Sequence, residues 1–408
     1  MTVNVAPLKA VERQVRSEWP RFEADEREAV ANVLASGRVN ALVHGDECNG
    51  FAREFAEFVG VRDAICMANG TVTLEIALRA LGVGPGDEVI VPARSFFATA
   101  SCVASVGALP VFADVLSPSQ NIDPASVERM ITPRTRAVIC VHLAGLPCDM
   151  TALGELCKSH GLFLIEDCAQ AHGAAIDGRK VGTFGDAASF SFCTDKIMST
   201  GGEGGLLIMR DEEAHQRAWS LKDHGKNPHK LTDGKGVPGQ FRYIHDSLGT
   251  NARMTEMQAA IGRVQLSKLP AWLAARSANA AFLTEALAGH PLLMVPEIPG
   301  NITHAWYKFY LLLRPDVAEP ELRRTEMISQ LVVMGIPCGT GSCPDMSLEE
   351  GLEGLDCPRD GALAGANELG RRTLMLLVDH TLDRNDMTRI AEALWELPLE
   401  GTSGSPAR

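Results

Sequence analysis

Short apolar runs recur between residues 60 and 210: Ala64 to Met67, Glu88 to Val91, Pro110 to Ala113, Ala137 to Val141, Leu162 to Ile165, Ala188 to Phe192 and Leu206 to Met209. Each is rich in Val, Ile, Leu or Phe, as expected of strands covered on both faces. Helical stretches lie between several of them. Val72 to Leu81 carries Leu74, Ala77, Leu78 and Leu81 on one face, and Asp123 to Ile131 and Met150 to His160 are similar. This alternation predicts an α/β layer with a largely parallel sheet, whose ligands bind at the carboxyl ends of the strands. From Met254 to about Ala288 the pattern is one long helix. Beyond it come a strand at Trp306 to Leu313 and helices at Pro320 to Met334 and Asn385 to Leu394. Gly401 to Arg408 is small and polar and is expected to fray.

A length of 408 residues suggests two domains, or one large domain with a smaller one appended. Apolar residues make up 46%, enough for a substantial core, and no apolar run is long enough to span a bilayer. Met1 to Pro20 lacks an apolar central block and is not expected to be a secretory signal. A net charge of −13 argues against nucleic acid or an anionic membrane as the main partner. It leaves room for a locally positive site. Eleven cysteines are scattered without a CxxC pair, and Cys66, Cys140 and Cys168 sit in apolar contexts. They are expected to be reduced core residues of a cytoplasmic protein. No Cys/His spacing fits a zinc site, so no metal is expected.

The candidate chemistry falls after strands. Lys196 follows the apolar run ending at Phe192 and precedes Gly201-Gly-Glu-Gly-Gly205. A lysine amine in such a place can attack a carbonyl, and the aldehyde of pyridoxal phosphate (PLP) is one that proteins hold this way. The glycine run fits neither dinucleotide nor P-loop patterns and is expected to be a mobile turn. Leu162 to Ile165 runs into Glu166 and Asp167, one of which can face a cation such as a protonated pyridine nitrogen; an N-cap is the plainer role. Period-two alternation does not say which acid that is. Asn69-Gly70-Thr71 precedes a helix, where free N–H groups bind phosphate, although ordinary capping explains it equally. Phe96 follows a strand end and can stack on a flat ring or serve the core. His142, His172 and His224 are expected to be structural.

Taken together, these residues resemble the DegT/DnrJ/EryC1/StrS family of sugar aminotransferases, of PLP fold type I. The resemblance is carried by Asn69-Gly-Thr71, Gly86-Asp-Glu-Val-Ile-Val-Pro92, Ser95-Phe-Phe-Ala-Thr99, Pro110-Val-Phe-Ala-Asp114, Ile131-Thr-Pro-Arg-Thr135 and Val141-His-Leu-Ala-Gly145. It continues through Glu166-Asp-Cys-Ala-Gln-Ala-His-Gly173, Ser191-Phe192, Lys196, Glu203-Gly-Gly205 and Asn251-Ala-Arg-Met254. It implies an α/β, aspartate aminotransferase-like fold, with a large PLP-binding domain over residues 1–265 and a smaller α+β domain over 266–408. It implies that Lys196 binds the cofactor covalently and shuttles the proton. Asp167, rather than Glu166, would pair with the pyridine nitrogen. Phe96 would stack on one face of the ring, with Gln170 near the other. Gly70, Thr71 and Ser191 would hold the phosphate. Asn251 would reach the phosphate in a neighbouring subunit, which implies a homodimer with shared active sites.

The implied activity is transfer of an amino group from glutamate or glutamine to a nucleotide-linked 3- or 4-keto-deoxysugar, for surface-polysaccharide or secondary-metabolite synthesis. A keto-cyclitol of scyllo-inosose type is the alternative acceptor, and a non-catalytic PLP-binding regulator a further alternative. Relatives that dehydrate sugars carry histidine in place of the lysine, so Lys196 speaks against dehydration. Three positions depart from the family's pattern. Val72 stands where Ser is frequent, Cys343 replaces the Tyr of a Tyr-Pro pair, and Leu374 to Leu382 lacks the usual Ser-Leu-Pro. These departures bear on the substrate rather than on the PLP chemistry.

Overall fold

The structure, a computed structural model, describes residues 14–41, 45–233 and 240–398. The segment Gly401 to Arg408 therefore lies outside the described residues.

The helices are α1 (Ala24–Ser36), α2 (Asp46–Val59), α3 (Gly70–Ala80), α4 (Ala98–Ser105), α5 (Pro124–Met130), α6 (Met150–His160), α7 (Glu212–Lys222), α8 (Pro228–Thr232), α9 (Glu256–Ala286), α10 (Pro320–Val333), α11 (Ala364–Arg372) and α12 (Arg384–Trp395). The strands are β1 (Ile65–Met67), β2 (Glu88–Pro92), β3 (Leu109–Ala113), β4 (Thr135–Val141), β5 (Phe163–Asp167), β6 (Ala175–Ile176), β7 (Arg179–Lys180), β8 (Ala187–Ser191), β9 (Gly205–Met209), β10 (Leu293–Met294), β11 (Ile302–Thr303), β12 (Phe309–Leu313), β13 (Cys338–Gly339) and β14 (Thr373–Leu376).

A seven-stranded sheet runs in the order β1-β9-β8-β5-β4-β2-β3. From β8 to β3 every pair is parallel, while β9 is antiparallel to both β8 and β1. The reversal has a local cause. β8 and β9 are joined by a loop that folds straight back on itself, the Phe192 N–H bonding the Gly204 carbonyl and the Thr194 N–H the Gly202 carbonyl, so the chain returns beside β8 without crossing over the sheet. Alternate residues of the strands feed cores on opposite faces. Val89, Val91, Ile139 and Leu207 pack with α3, whereas Phe190, Leu206 and Ile208 pack with α2 and α9. Both faces are covered, which is why the runs read as continuous rather than alternating.

The long helix starts at a capping box formed by Thr255 and Gln258 and continues through Pro270. Its first half contributes Ala259, Leu266 and Leu269 to the large-sheet core. Its second half contributes Ala280 and Leu283 to another core, shared with Phe309, Leu311 and Met387. That second core belongs to the antiparallel sheet β10-β12-β14-β13, and Val15 from the N-terminal side joins it. A third, small sheet has the order β11-β6-β7.

Most expected elements are present with shifted ends. The strand expected from Trp306 begins only at Phe309, because Trp306 has φ 50°, a left-handed backbone that breaks extension. Among the described residues no helix is long and apolar enough to cross a membrane.

Candidate active site

The carboxyl ends of β2, β5 and β8 and the start of α3 form one wall of a cleft of about 840 Å³. The start of β12, the loop after β13 and Met375 of β14 form the other. Gly70, Thr71, Phe96, Asp167, Gln170, Ser191 and Lys196 all line it, although they span more than a hundred positions of chain. Asn251 does not. It is exposed, outside the cleft, and bridged by backbone to Asp223.

α3 begins at Gly70, two residues earlier than its apolar pattern suggests. The Asn69 side chain caps it, accepting from the Val72 N–H at 3.0 Å. The helix start presses against β8 and β9. A Cβ on Gly70 would lie 2.7 Å from the Ser191 Cβ, and one on Gly205 would lie 2.3 Å from the Asn69 carbonyl oxygen. Glycine at both places is thus a demand of close backbone packing. The Gly70 and Thr71 N–H groups and the Ser191 hydroxyl consequently share one concave corner, suited to an anion.

Glu166 and Asp167 point to opposite sides of β5. Glu166 is fully buried, away from the cleft. Its oxygens accept the backbone N–H groups of Gly182 (2.8 Å), Phe184 (2.7 Å) and Gly185 (2.7 Å) and the His142 Nε2–H (3.1 Å). His142 Nδ1 accepts the Cys148 N–H at 3.0 Å, which fixes the proton on Nε2. Burial raises the Glu166 carboxyl, but His142 and these N–H groups outweigh it and hold it low. His142, Glu166 and Cys168 lie near enough to suggest a metal, yet the oxygens and ring nitrogens are already engaged. The group is a structural clasp.

Asp167 faces the cleft. It accepts from the Ala169 N–H at 3.1 Å and the Thr99 hydroxyl at 3.2 Å. Burial pushes its carboxyl above the usual carboxylate range, against the pull of the Ala169 N–H and the charge of Lys196. An acid in that condition is stabilised by a cation brought into the cleft. Gln170 is fixed by its Oε1, which accepts the Ala144 N–H at 2.7 Å. Phe96 is 66% exposed, at the cleft wall.

The side chain of Lys196 is 15% exposed, and its Nζ lies 3.7 Å from Asp195 and 5.0 Å from the Tyr307 ring centre. The Tyr307 hydroxyl donates to Asp195. Behind the lysine, the Trp19 indole N–H donates to the Lys196 carbonyl oxygen at 2.8 Å. The loop is held by hydrogen bonds from the Phe192 N–H to the Gly204 carbonyl and from the Thr194 N–H to the Gly202 carbonyl. His172 is buried against Phe55, Phe190 and Phe192, and burial lowers its imidazole to about 3, as befits a core residue.

Sequence reasoning missed Trp19, Asp195, Tyr307, Lys308, Tyr310 and Ser342. Only Tyr307-Lys308, polar residues ahead of an apolar strand, offered a local hint. Cys343 does line the cleft, its thiol donating to Glu349 at 3.3 Å. His380 lies elsewhere, stacked on Trp272 at 4.3 Å.

Comparison with known proteins agrees with this architecture. The model of the DegT/DnrJ/EryC1/StrS aminotransferase family matches residues 20–395. The dTDP-3-amino-3,4,6-trideoxy-alpha-D-glucose transaminase of Streptomyces venezuelae is 36% identical over 382 residues, 94% of each chain. The L-glutamine:2-deoxy-scyllo-inosose aminotransferase of Streptomyces fradiae is 39% identical over 404 residues, again 94% of each. The solved structure of an aminotransferase from Psychrobacter cryohalolentis superposes with a TM-score of 0.89 at 42% identity, covering 93% of this chain and 97% of that one. The sheet order, the strand-end cleft and these matches have one conclusion: the chain belongs to the DegT/DnrJ/EryC1/StrS aminotransferase family.

Proposed function

We propose that this cleft binds pyridoxal phosphate and moves an amino group from glutamate or glutamine to the ketone of a nucleotide-linked 3- or 4-keto-deoxysugar. The observation that carries it is the convergence of three unlike features on one cleft: the Lys196 amine, the buried Asp167 carboxylate and the Gly70–Thr71 helix start beside Ser191.

These residues fit the cofactor. The corner at Gly70, Thr71 and Ser191, which a Cβ on residue 70 would fill, suits its phosphate. Asp167 would hold the pyridine nitrogen in its protonated form, relieving the cost of its own burial. Phe96 would cover one ring face, and Gln170, fixed by Ala144, would stand near the other. When bound, the cofactor supplies an electron sink for a carbanion. What the chain must add is position and a movable proton. Lys196 would carry that proton in both half-reactions, with Asp195 and Tyr307 holding its amine at the cleft wall.

Asn251 would act in the neighbouring copy's cleft, so the working unit is a homodimer. A place in the cytoplasm is in keeping with eleven cysteines that are all free thiols. The named activities of the S. venezuelae and S. fradiae relatives cover a nucleotide sugar and a cyclitol, and both acceptors belong in the test. Purified protein with PLP is incubated with nucleotide-linked keto-sugars and keto-cyclitols, each with glutamate and with glutamine, and products are read by mass. Amination of a nucleotide-linked keto-sugar is expected. Amination of cyclitols alone would move the reading to the alternative acceptor, and amination of none would remove it.

A further inference from the structure

The active cleft continues past Lys196 into a second hollow of about 650 Å³, and the two share Asp195, Tyr307 and Lys308. Lys308 stands at that junction and, among the described residues, makes no ion pair of its own. Its ammonium lies 4.7 Å from the Tyr307 ring centre. Among the described residues it has no carboxylate at ion-pair distance and no hydrogen-bond acceptor. The acids whose charge reaches it, Asp195 and Asp379, have other duties. Asp195 accepts the Tyr307 hydroxyl and pairs with Lys196. Asp379 accepts the Thr381 N–H and hydroxyl.

A second cation backs the first. Arg276 is 1% exposed and lines the same hollow. Its Nη1 donates to the carbonyl oxygens of Trp306 (3.1 Å) and Tyr307 (3.4 Å), while its Nε has no partner. The stretch leading into Lys308 is rigid as well. The Tyr307 N–H donates to the Ala144 carbonyl at 2.9 Å, and Trp306 is held left-handed. Burial lowers both cations, Arg276 to about 10. Two cations on a fixed backbone, neither with a carboxylate at ion-pair distance among the described residues, are stabilised by an anion that joins them.

We propose that Lys308, backed by Arg276, is an anion subsite that holds an oxyanion of the substrate, either the carboxylate of an amino-acid donor or the diphosphate of a nucleotide sugar. Which substrate it serves rests on the amino-transfer reading; the existence of the subsite does not.

The test is calorimetric titration of the PLP-loaded protein with two unreactive probes, glutarate for the carboxylate arm and UDP for the diphosphate arm. At least one probe is expected to bind wild type, and to bind more weakly as salt is raised. K308M should weaken that probe about tenfold, and K308R should restore it to within about threefold. K308Q repeats the test with a polar side chain, should K308M fold poorly. The arm that responds identifies the oxyanion. Failure of both probes to bind wild type, or binding within about twofold in both K308M and K308Q, would overturn the subsite. A Lys308-dependent probe in a protein that aminates nothing would leave the subsite standing and remove the transaminase reading.

Discussion

Replacing Glu166 by Gln sets an amide donor against the N–H groups of Gly182, Phe184 and Gly185 and leaves at least one of them unpaired. Glu166→Gln should therefore destabilise the fold by about 2–3 kcal/mol, read as the denaturation midpoint of cofactor-free protein. Asp167→Asn should do the opposite. Its folded carboxyl is raised by burial, so wild type loses stability as pH rises through that raised value. The asparagine variant escapes this loss and should have the higher denaturation midpoint of the two at neutral pH. The advantage should shrink as the solution is acidified. Transamination by the same variant should fall at least about a hundredfold, because the carboxylate proposed to face the pyridinium would be gone. A variant with near-normal turnover would strike Asp167 from this role. Both acids were visible at a strand end in the sequence. What separates them is where each side chain finds hydrogen bonds: a turn eighteen residues downstream claims Glu166, and a two-fold alternation cannot know that.

Gly70 joins a helix start to a sheet, and its missing Cβ sets how close they come. Gly70→Ala should push α3 off β8, cost about 1–3 kcal/mol and weaken PLP binding, which equilibrium dialysis would show. The N-terminal segment has an equally direct link to the site. Trp19→Phe keeps the ring against Trp272 and His380 but removes the hydrogen bond to the Lys196 carbonyl. Several-fold lower kcat with KM little changed is expected; an unaltered kcat would mean that the contact only packs. At this scale the buried strands were legible, because coverage on both faces leaves an unbroken apolar run. The helices α4 and α7 were not: one is made of small residues and the other is largely polar. Strands β6, β7 and β11 have two residues each, too few for a period to register.

Two stretches of the chain, residues 69–203 and 307–375, line the cleft. The upstream wall was legible because glycine, acid and lysine have few reasons to stand in that order. The downstream wall was legible only at Cys343, because Tyr307, Lys308, Tyr310 and Ser342 are ordinary residues until folding brings them opposite Lys196. A second copy would complete the site, and mixing inactive variants tests this. Lys196→Ala and Asn251→Ala, once their subunits exchange, should regain about a quarter of wild-type activity, since half of the dimers hold one intact site. No recovery would place Asn251 in a role within its own subunit. The visible spectrum of PLP-loaded protein, followed through one full cycle, tests whether Lys196 holds the cofactor and the cleft transfers an amino group. The band of lysine-bound cofactor should disappear on adding glutamate or glutamine alone and return on adding the keto-sugar nucleotide, and Lys196→Ala should lack it from the outset. A band that ignores both amino donors, or persists in Lys196→Ala, would contradict the account.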